Sequence, residues 1–137
     1  MISMKAICLA FLVALPLSSV QAKEGPYYIL GAGASSCGSY VTAYDEYRPY
    51  AAGNGSGLLA MHAAASYLQY QSWIQGYIVG VDAVAGGHMR SIDEAGLQQW
   101  IYSYCKANPL KNVVDAANQL YFELGGTIPK KLRGDAR

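Results

Sequence analysis

Charge is scarce in this chain. Ten basic and nine acidic residues stand among 137. So small an imbalance excludes the positive field that bulk electrostatic binding of nucleic acid requires. Histidine is scarcer still. His62 and His88 are the two in the chain, and neither has a partner at HxxxH or HxH spacing, so no zinc motif can be assembled. Cysteine is limited to Cys8, Cys37 and Cys105, with no CxxC pair. The stretch Gly31-Ala-Gly33-Ala-Ser-Ser36 lacks the third glycine and the βαβ context of a dinucleotide fingerprint, and it reads as a flexible lead-in. No serine lies in a nucleophile elbow. The carboxylate pairs Asp45-Glu46 and Asp93-Glu94 are adjacent, and adjacent residues on a helix point apart. The sequence therefore offers no catalytic residue, no metal ligand and no cofactor site. Internal repeats and low-complexity tracts are absent too.

What is present begins with an export signal. Lys5 precedes a ten-residue apolar run, Ala6 to Leu15, too short for a bilayer span and suited to the core of a signal peptide. Pro16 ends the run, and Val20-Gln21-Ala22 places small residues where a signal peptidase reads. Cleavage is expected after Ala22. That assigns residues 1–22 to a signal peptide and 23–137 to one exported domain without a membrane span. The mature chain would hold 115 residues and, without Lys5, nine charges of each sign. A domain of that length buries about two-thirds of its unfolded surface. Of the three cysteines, Cys37 and Cys105 remain. In an oxidising compartment two lone cysteines in a small domain are expected to pair. The bond closes a 69-residue loop and contributes about 4 kcal/mol by the chain-entropy relation.

Hydrophobic periodicity predicts an all-α fold of about four helices, with a core over 37–124 and a flexible tail over 127–137. Ser35 or Ser36 caps a first helix from Cys37 to Tyr47, which Arg48-Pro49 should stop. Tyr50 to Gly57 is a loop by composition. Leu58 to Ala85 is the longest periodic run, and its first ten residues belong either to the same helix or to a separate turn. Its stripe is Met61 or His62, Ala65, Tyr70, Trp73, Ile74, Tyr77, Ile78, Val81 and Val84. Gly76 and Gly80 inside it each cost about 1 kcal/mol against alanine, which suggests close approach of another helix or of the Tyr27–Leu30 segment. Asp82 is expected at the solvated edge. Ser91-Ile-Asp-Glu94 has the form of a capping box for a third helix ending near Ala107. Asn108 is expected to cap a fourth helix with Pro109 in its first position, and Leu110 heads its apolar stripe. Gly125-Gly126 end that helix. The tail Lys130–Arg137 holds four bases and one acid and reads as a solvated charge run.

Trp73-Ile-Gln-Gly76-Tyr-Ile-Val-Gly80, followed by Trp100-Ile-Tyr-Ser-Tyr-Cys105-Lys-Ala-Asn108-Pro109-Leu110 and Ala116-Ala117, resembles the Rap/Tai family of type VI secretion immunity proteins. Cys37 matches as well, and the resemblance extends from Cys37 to Leu124. It implies a small helical protein of the periplasm that binds a peptidoglycan amidase effector and occludes its active site, with a homodimer among the arrangements the family uses. The matching residues are structural ones: Cys37, Cys105, Trp73, Gly76, Gly80, Trp100, Asn108 and Pro109. Residues that grip a toxin lie outside the shared motif. Composition nominates them instead: Tyr47 and Tyr50 beside one Gly-rich loop, and His88, Met89 and Arg90 in another. The alternative reading is a periplasmic stress chaperone or assembly factor without a toxin partner, because the one-disulfide helical design is also similar to that of acid-stress chaperones.

Overall fold

Helix formation starts at Ser36, whose hydroxyl accepts from the Ser39 N–H at 3.2 Å. The fold that follows is taken from a computed structural model, which describes residues 29–127. The expected signal peptide, Tyr27 and Tyr28 of the lead-in, and residues 128–137 of the tail lie outside the described residues. Four α-helices make up the bundle: α1 (Cys37–Ala51), α2 (Leu58–Ala85), α3 (Glu94–Ala107) and α4 (Val113–Glu123). No strand occurs among the described residues.

Several boundaries differ from expectation, each for a local reason. The lead-in is not loose: Gly31–Ala34 forms a 3-10 turn with Ala32 and Gly33 buried. Helix α1 runs through Pro49 instead of stopping before it. Proline forfeits one N–H bond, but only the last turn remains beyond it, and the Arg48 and Pro49 carbonyls still accept from Ala52 and Asn54 at 3.2 and 2.9 Å. Helix α2 is continuous over all 28 residues and ends at Gly86 in the left-handed conformation (φ 104°). The cap of α3 is Asp93, not Ser91; its carboxylate accepts from Gly96 N–H at 2.7 Å.

The largest shift concerns α4. It starts at Val113 behind Asn112, and Asp115 Oδ2 accepts from the Asn112 N–H at 3.0 Å. Asn108 instead closes α3, with its backbone and side-chain N–H groups both donating to the Tyr104 carbonyl. Pro109 and Lys111 are held out of the helix because their carbonyls serve α1. Gly38 and Cys37, whose N–H groups would otherwise be orphans of a helix start, donate to them at 3.0 and 2.7 Å. Leu110 is consequently 95 % exposed rather than part of the apolar stripe.

Helix α1 packs on α2 and α3, α4 lies across α2 and α3, and the 3-10 turn sits against α2 and α4. The core gathers Tyr40, Tyr67, Ile74, Ile78, Leu97, Ile101, Val113, Ala116, Ala117, Leu120 and Tyr121 around the Cys37–Cys105 disulfide. Each large apolar side chain so buried contributes about 1.5–3 kcal/mol.

The stripe expected for α2 is rotated. Ala63, Tyr67, Gln71, Ile74 and Ile78 form its buried line. Tyr70, Trp73, Tyr77 and Val81 flank that line half-buried, while Met61, His62, Ala65 and Val84 face outward. A helix apolar on nearly every side carries too little asymmetry for periodicity to orient it. The glycine of close approach is likewise not in α2. Gly76 and Gly80 are exposed, and a Cβ on either would meet nothing within 4 Å. Gly33 fills that role: a Cβ there would overlap the six-membered ring of Trp73, itself stacked on Tyr77 (5.0 Å, 10°).

Candidate functional site

Tyr40, Tyr44 and Tyr47 recur at helical spacing along α1 and meet Tyr67 and Tyr70 of α2. Tyr47 lies flat on Tyr67, with centroids 4.7 Å apart and planes at 14°. Tyr44 tilts against Tyr67 at 5.4 Å and against Tyr102 of α3 at 4.7 Å. Tyr40 lies deepest, edge-on to Tyr70. From α3, Gln98 Nε2 donates to the Tyr67 hydroxyl, and Tyr102 donates to Asp45 Oδ1 at 3.0 Å. Such stacked and tilted pairs contribute about 0.5–1.5 kcal/mol each beyond their burial.

Above this cluster lies a groove of about 370 Å³ between the end of α1, the middle of α2 and the start of α3, lined by Tyr44, Tyr47, Arg48, Tyr67, Glu94 and Gln98 among others. A second groove of about 390 Å³ adjoins it along the α2–α3 seam, with Ile78, Val79, Met89, Ile92 and Leu97 in its walls. Glu94 borders both. On the other flank of α1, Tyr50 lines a separate groove with Glu46, Leu59 and His62.

Burial sets the protonation of the phenols. It raises Tyr40 well above the ordinary tyrosine range and pushes Tyr67 up to about 12, against a lowering by the Gln98 hydrogen bond. It raises Tyr77 too, opposed by the 2.8 Å bond that Tyr77 gives to Asn118. These hydroxyls keep their protons near neutrality, so the cluster offers hydrogen-bond donors and ring surface rather than a base. The Tyr40 hydroxyl and both amide atoms of Gln71, a residue only 3 % exposed, make no hydrogen bond among the described residues. No group of three or more potential metal ligands forms among the described residues.

The residues nominated for partner contact thus separate. Tyr47 stands in the first groove, Met89 in the second and Tyr50 in the third. His88 is exposed at the tip of its loop, its ring against Gly86. Arg90 closes the end of α4: its N–H and guanidinium donate to the Leu124 and Glu123 carbonyls, the closest at 2.6 Å. Asp82, expected at a solvated edge, accepts from the His88 and Met89 N–H groups at 3.2 and 3.0 Å and so shapes that loop. Among the motif residues, Trp73 covers Gly33, and Trp100 stacks on Tyr104 while donating to Glu123 Oε2 at 3.0 Å. Sequence reasoning passed over Tyr44, Tyr67, Arg48 and Gln98. The tyrosine spacing on α1 was the available signal; the partners on α2 and α3 come only with the fold.

A different surface covers the outside of α2. One residue of its 28, Asp82, carries a formal charge; Leu58, Met61 and Val84 are exposed on the helix, and Leu59, Leu68 and Val79 are exposed beside the grooves on its flanks. No helix among the described residues is long and apolar enough to cross a membrane. Comparison with protein-family models, with curated proteins and with solved structures finds no match to this chain.

Proposed function

We propose that this chain is an exported protein-binding domain of the periplasm that neutralises a peptidoglycan amidase by covering its active site, as its resemblance to the Rap/Tai immunity proteins implies. The observation that carries the reading is the outer face of α2. Leu58, Met61 and Val84 are exposed on a helix with one formal charge and two exposed glycines, which gives it apolar area that water covers poorly and that another polypeptide can cover well. The Cys37–Cys105 bond suits an oxidising compartment. A homodimer, which the resemblance also implies, would draw on the same kind of surface.

The test is co-purification with an amidase encoded beside this gene, together with protection of cells from lysis by that amidase. Met61→Glu with Val84→Glu places two charges on the outward side of α2 and is expected to abolish both complex and protection while leaving the thermal melt unchanged. An adjacent amidase that neither binds nor is inhibited would sink the reading. Suppression of client aggregation by the unmodified chain, with no amidase complex, would favour the stress-chaperone alternative.

A further inference from the structure

The loop between α1 and α2 is tied down at its start and open after it. Ala52, Gly53 and Asn54 donate their N–H groups to the Arg48, Tyr50 and Pro49 carbonyls at 3.2, 3.0 and 2.9 Å. Beyond Asn54 the ties stop. Among the described residues neither the Gly55 N–H nor the Asn54 side-chain amide makes a hydrogen bond. Residues 51–59 are all exposed, and a Cβ on Gly53 or Gly57 would meet nothing within 4 Å. Gly55 is different. Its φ is 109°, and a Cβ there would come within 3.0 Å of the Tyr50 ring. The turn therefore demands glycine at this position, and the residue before it is asparagine.

That pairing is reactive. The side-chain carbonyl carbon of an asparagine is an electrophile, and the backbone nitrogen that follows it is a nucleophile within reach. Three things prevent their reaction: a side chain crowding the nitrogen, regular structure that holds the nitrogen away, or hydrogen bonds that occupy the two groups. The other asparagines of the chain are Asn108, Asn112 and Asn118, and each is protected. Asn108 precedes Pro109, which has no N–H to give. Asn112 caps α4 with its side chain, and the Val113 N–H after it is bound to the Ser35 carbonyl at 2.9 Å. Asn118 lies inside α4, with its Oδ1 accepting from Tyr77 at 2.8 Å. Asn54 has none of these protections.

We propose that Asn54 is a self-modification site, at which the chain converts its own asparagine to aspartate and isoaspartate. The Gly55 nitrogen bonds to the Asn54 side-chain carbonyl carbon. The bond from that carbon to the amide nitrogen breaks, and the nitrogen leaves as ammonia with the proton that Gly55 gives up. Water then opens the cyclic imide. Opening at the side-chain carbonyl yields ordinary aspartate; opening at the main-chain carbonyl leaves the chain running through the side chain as isoaspartate. No oxidant or reductant takes part. Either product places a carboxylate in a stretch where no residue between Arg48 and Asp82 carries a formal charge. The new charge enters just ahead of α2, beside the exposed Leu58 and Leu59 that begin it. The reaction needs only this loop and water, so it stands apart from amidase binding.

Ageing the purified chain at pH 7 and pH 8 tests it, with peptide mapping by mass spectrometry and with an L-isoaspartyl methyltransferase to report isoaspartate. Asn54 is expected to convert before any other amide. Conversion should be faster at pH 8, because the attacking nitrogen must shed its proton, and its rate should lie within several-fold of that of a free peptide of residues 52–57. The modified chain should separate from the parent on ion exchange by its added negative charge. Asn54→Gln should abolish the conversion, since the longer side chain closes its ring far more slowly. Gly55→Ala should slow it several-fold by crowding the nitrogen. Three results would each overturn the proposal: an Asn54 that stays intact in the folded chain while the free peptide is consumed, first conversion at Asn112 or Asn118, or an Asn54→Gln chain that ages as the parent does.

Discussion

Where α1 begins and α3 ends, the chain is tied to itself through its backbone. The Cys37–Cys105 bond joins the two helices, Cys37 and Gly38 donate to the Lys111 and Pro109 carbonyls, and Val113 N–H returns to the Ser35 carbonyl at 2.9 Å. Ser36 and Asn112 pair as an isolated antiparallel bridge. At the other end of the same pair, where α1 ends and α3 begins, side chains do the work: the Tyr47–Tyr67 stack, the Tyr67–Gln98 hydrogen bond and the Tyr44 contacts. The chain leaves α1 there through a loop whose Gly53, Gly55 and Gly57 all have positive φ. Main-chain ties survive most substitutions, because every residue but proline carries the groups that make them. Side-chain contacts can be altered one at a time. The stapled end thus holds the geometry, and the tyrosine end can change its surface without disturbing it.

The largest effect should come from the staple. Replacing both cysteines, Cys37→Ser with Cys105→Ser, removes a crosslink across 68 positions of sequence and is expected to cost about 4 kcal/mol in urea unfolding. The parent chain in reductant should lose the same amount. A loss below about 1 kcal/mol would mean that the backbone bonds around Ser35–Gly38 secure this end without the disulfide, and the contrast between the ends would rest on those bonds alone.

A second contrast lies between glycines. Gly33→Ala forces a methyl into the Trp73 ring, and the ring cannot retreat while stacked on Tyr77. Overpacking of this kind costs about 1–3 kcal/mol. Gly76→Ala adds a methyl to open space on an exposed helix and should stabilise by up to about 1 kcal/mol. Thermal melts of the two variants should therefore move in opposite directions. If Gly76→Ala instead lowers stability, or leaves the melt unchanged while weakening association, then α2 is covered in the free protein and its outer face is already an interface.

These cases mark how far the sequence was legible. The all-α class and the inner faces of α3 and α4 follow from patterns a few residues long, in which Leu97, Ile101 and Cys105 or Val113, Ala117 and Leu120 recur on one side, and the disulfide follows from the two cysteines left in one small domain. Gly33 was unreadable because its constraint comes from Trp73, forty positions away, and Gly76 and Gly80 misled because a glycine pair marks either close packing or none. Pro109 looked like a helix start by local rules; the demand of α1 for carbonyl partners overrode them. The groove was half visible. Tyr47 could be nominated from α1, but Tyr67, Glu94 and Gln98 join it only when α2 and α3 fold against α1.

The smallest effect at neutral pH, and the sharpest probe of the tyrosine end, is its alkaline limb. Burial holds the folded-state pKa of Tyr67 near 12, against 10.0 for an exposed tyrosine. The folded chain then binds more protons than the unfolded one above pH 10, so stability is fully present below pH 10 and falls as pH rises toward 12. Tyr40 and Tyr77, raised by burial as well, add to the same limb. Tyr67→Phe keeps the ring beneath Tyr47 and removes the titrating group together with the Gln98 bond. It should cost about 1 kcal/mol at pH 7 and lower the steepness of the pH 10–12 decline by up to one proton, about 1.4 kcal/mol per pH unit. Urea midpoints of the parent and Tyr67→Phe chains at several pH values would read both effects. Parallel curves would mean that Tyr67 titrates alike in both states, as it would if the tyrosine end opened in solution and let water reach the hydroxyl. The tyrosine stack would then be mobile, and the contrast would lie between an end held by its backbone and an end that opens in solution.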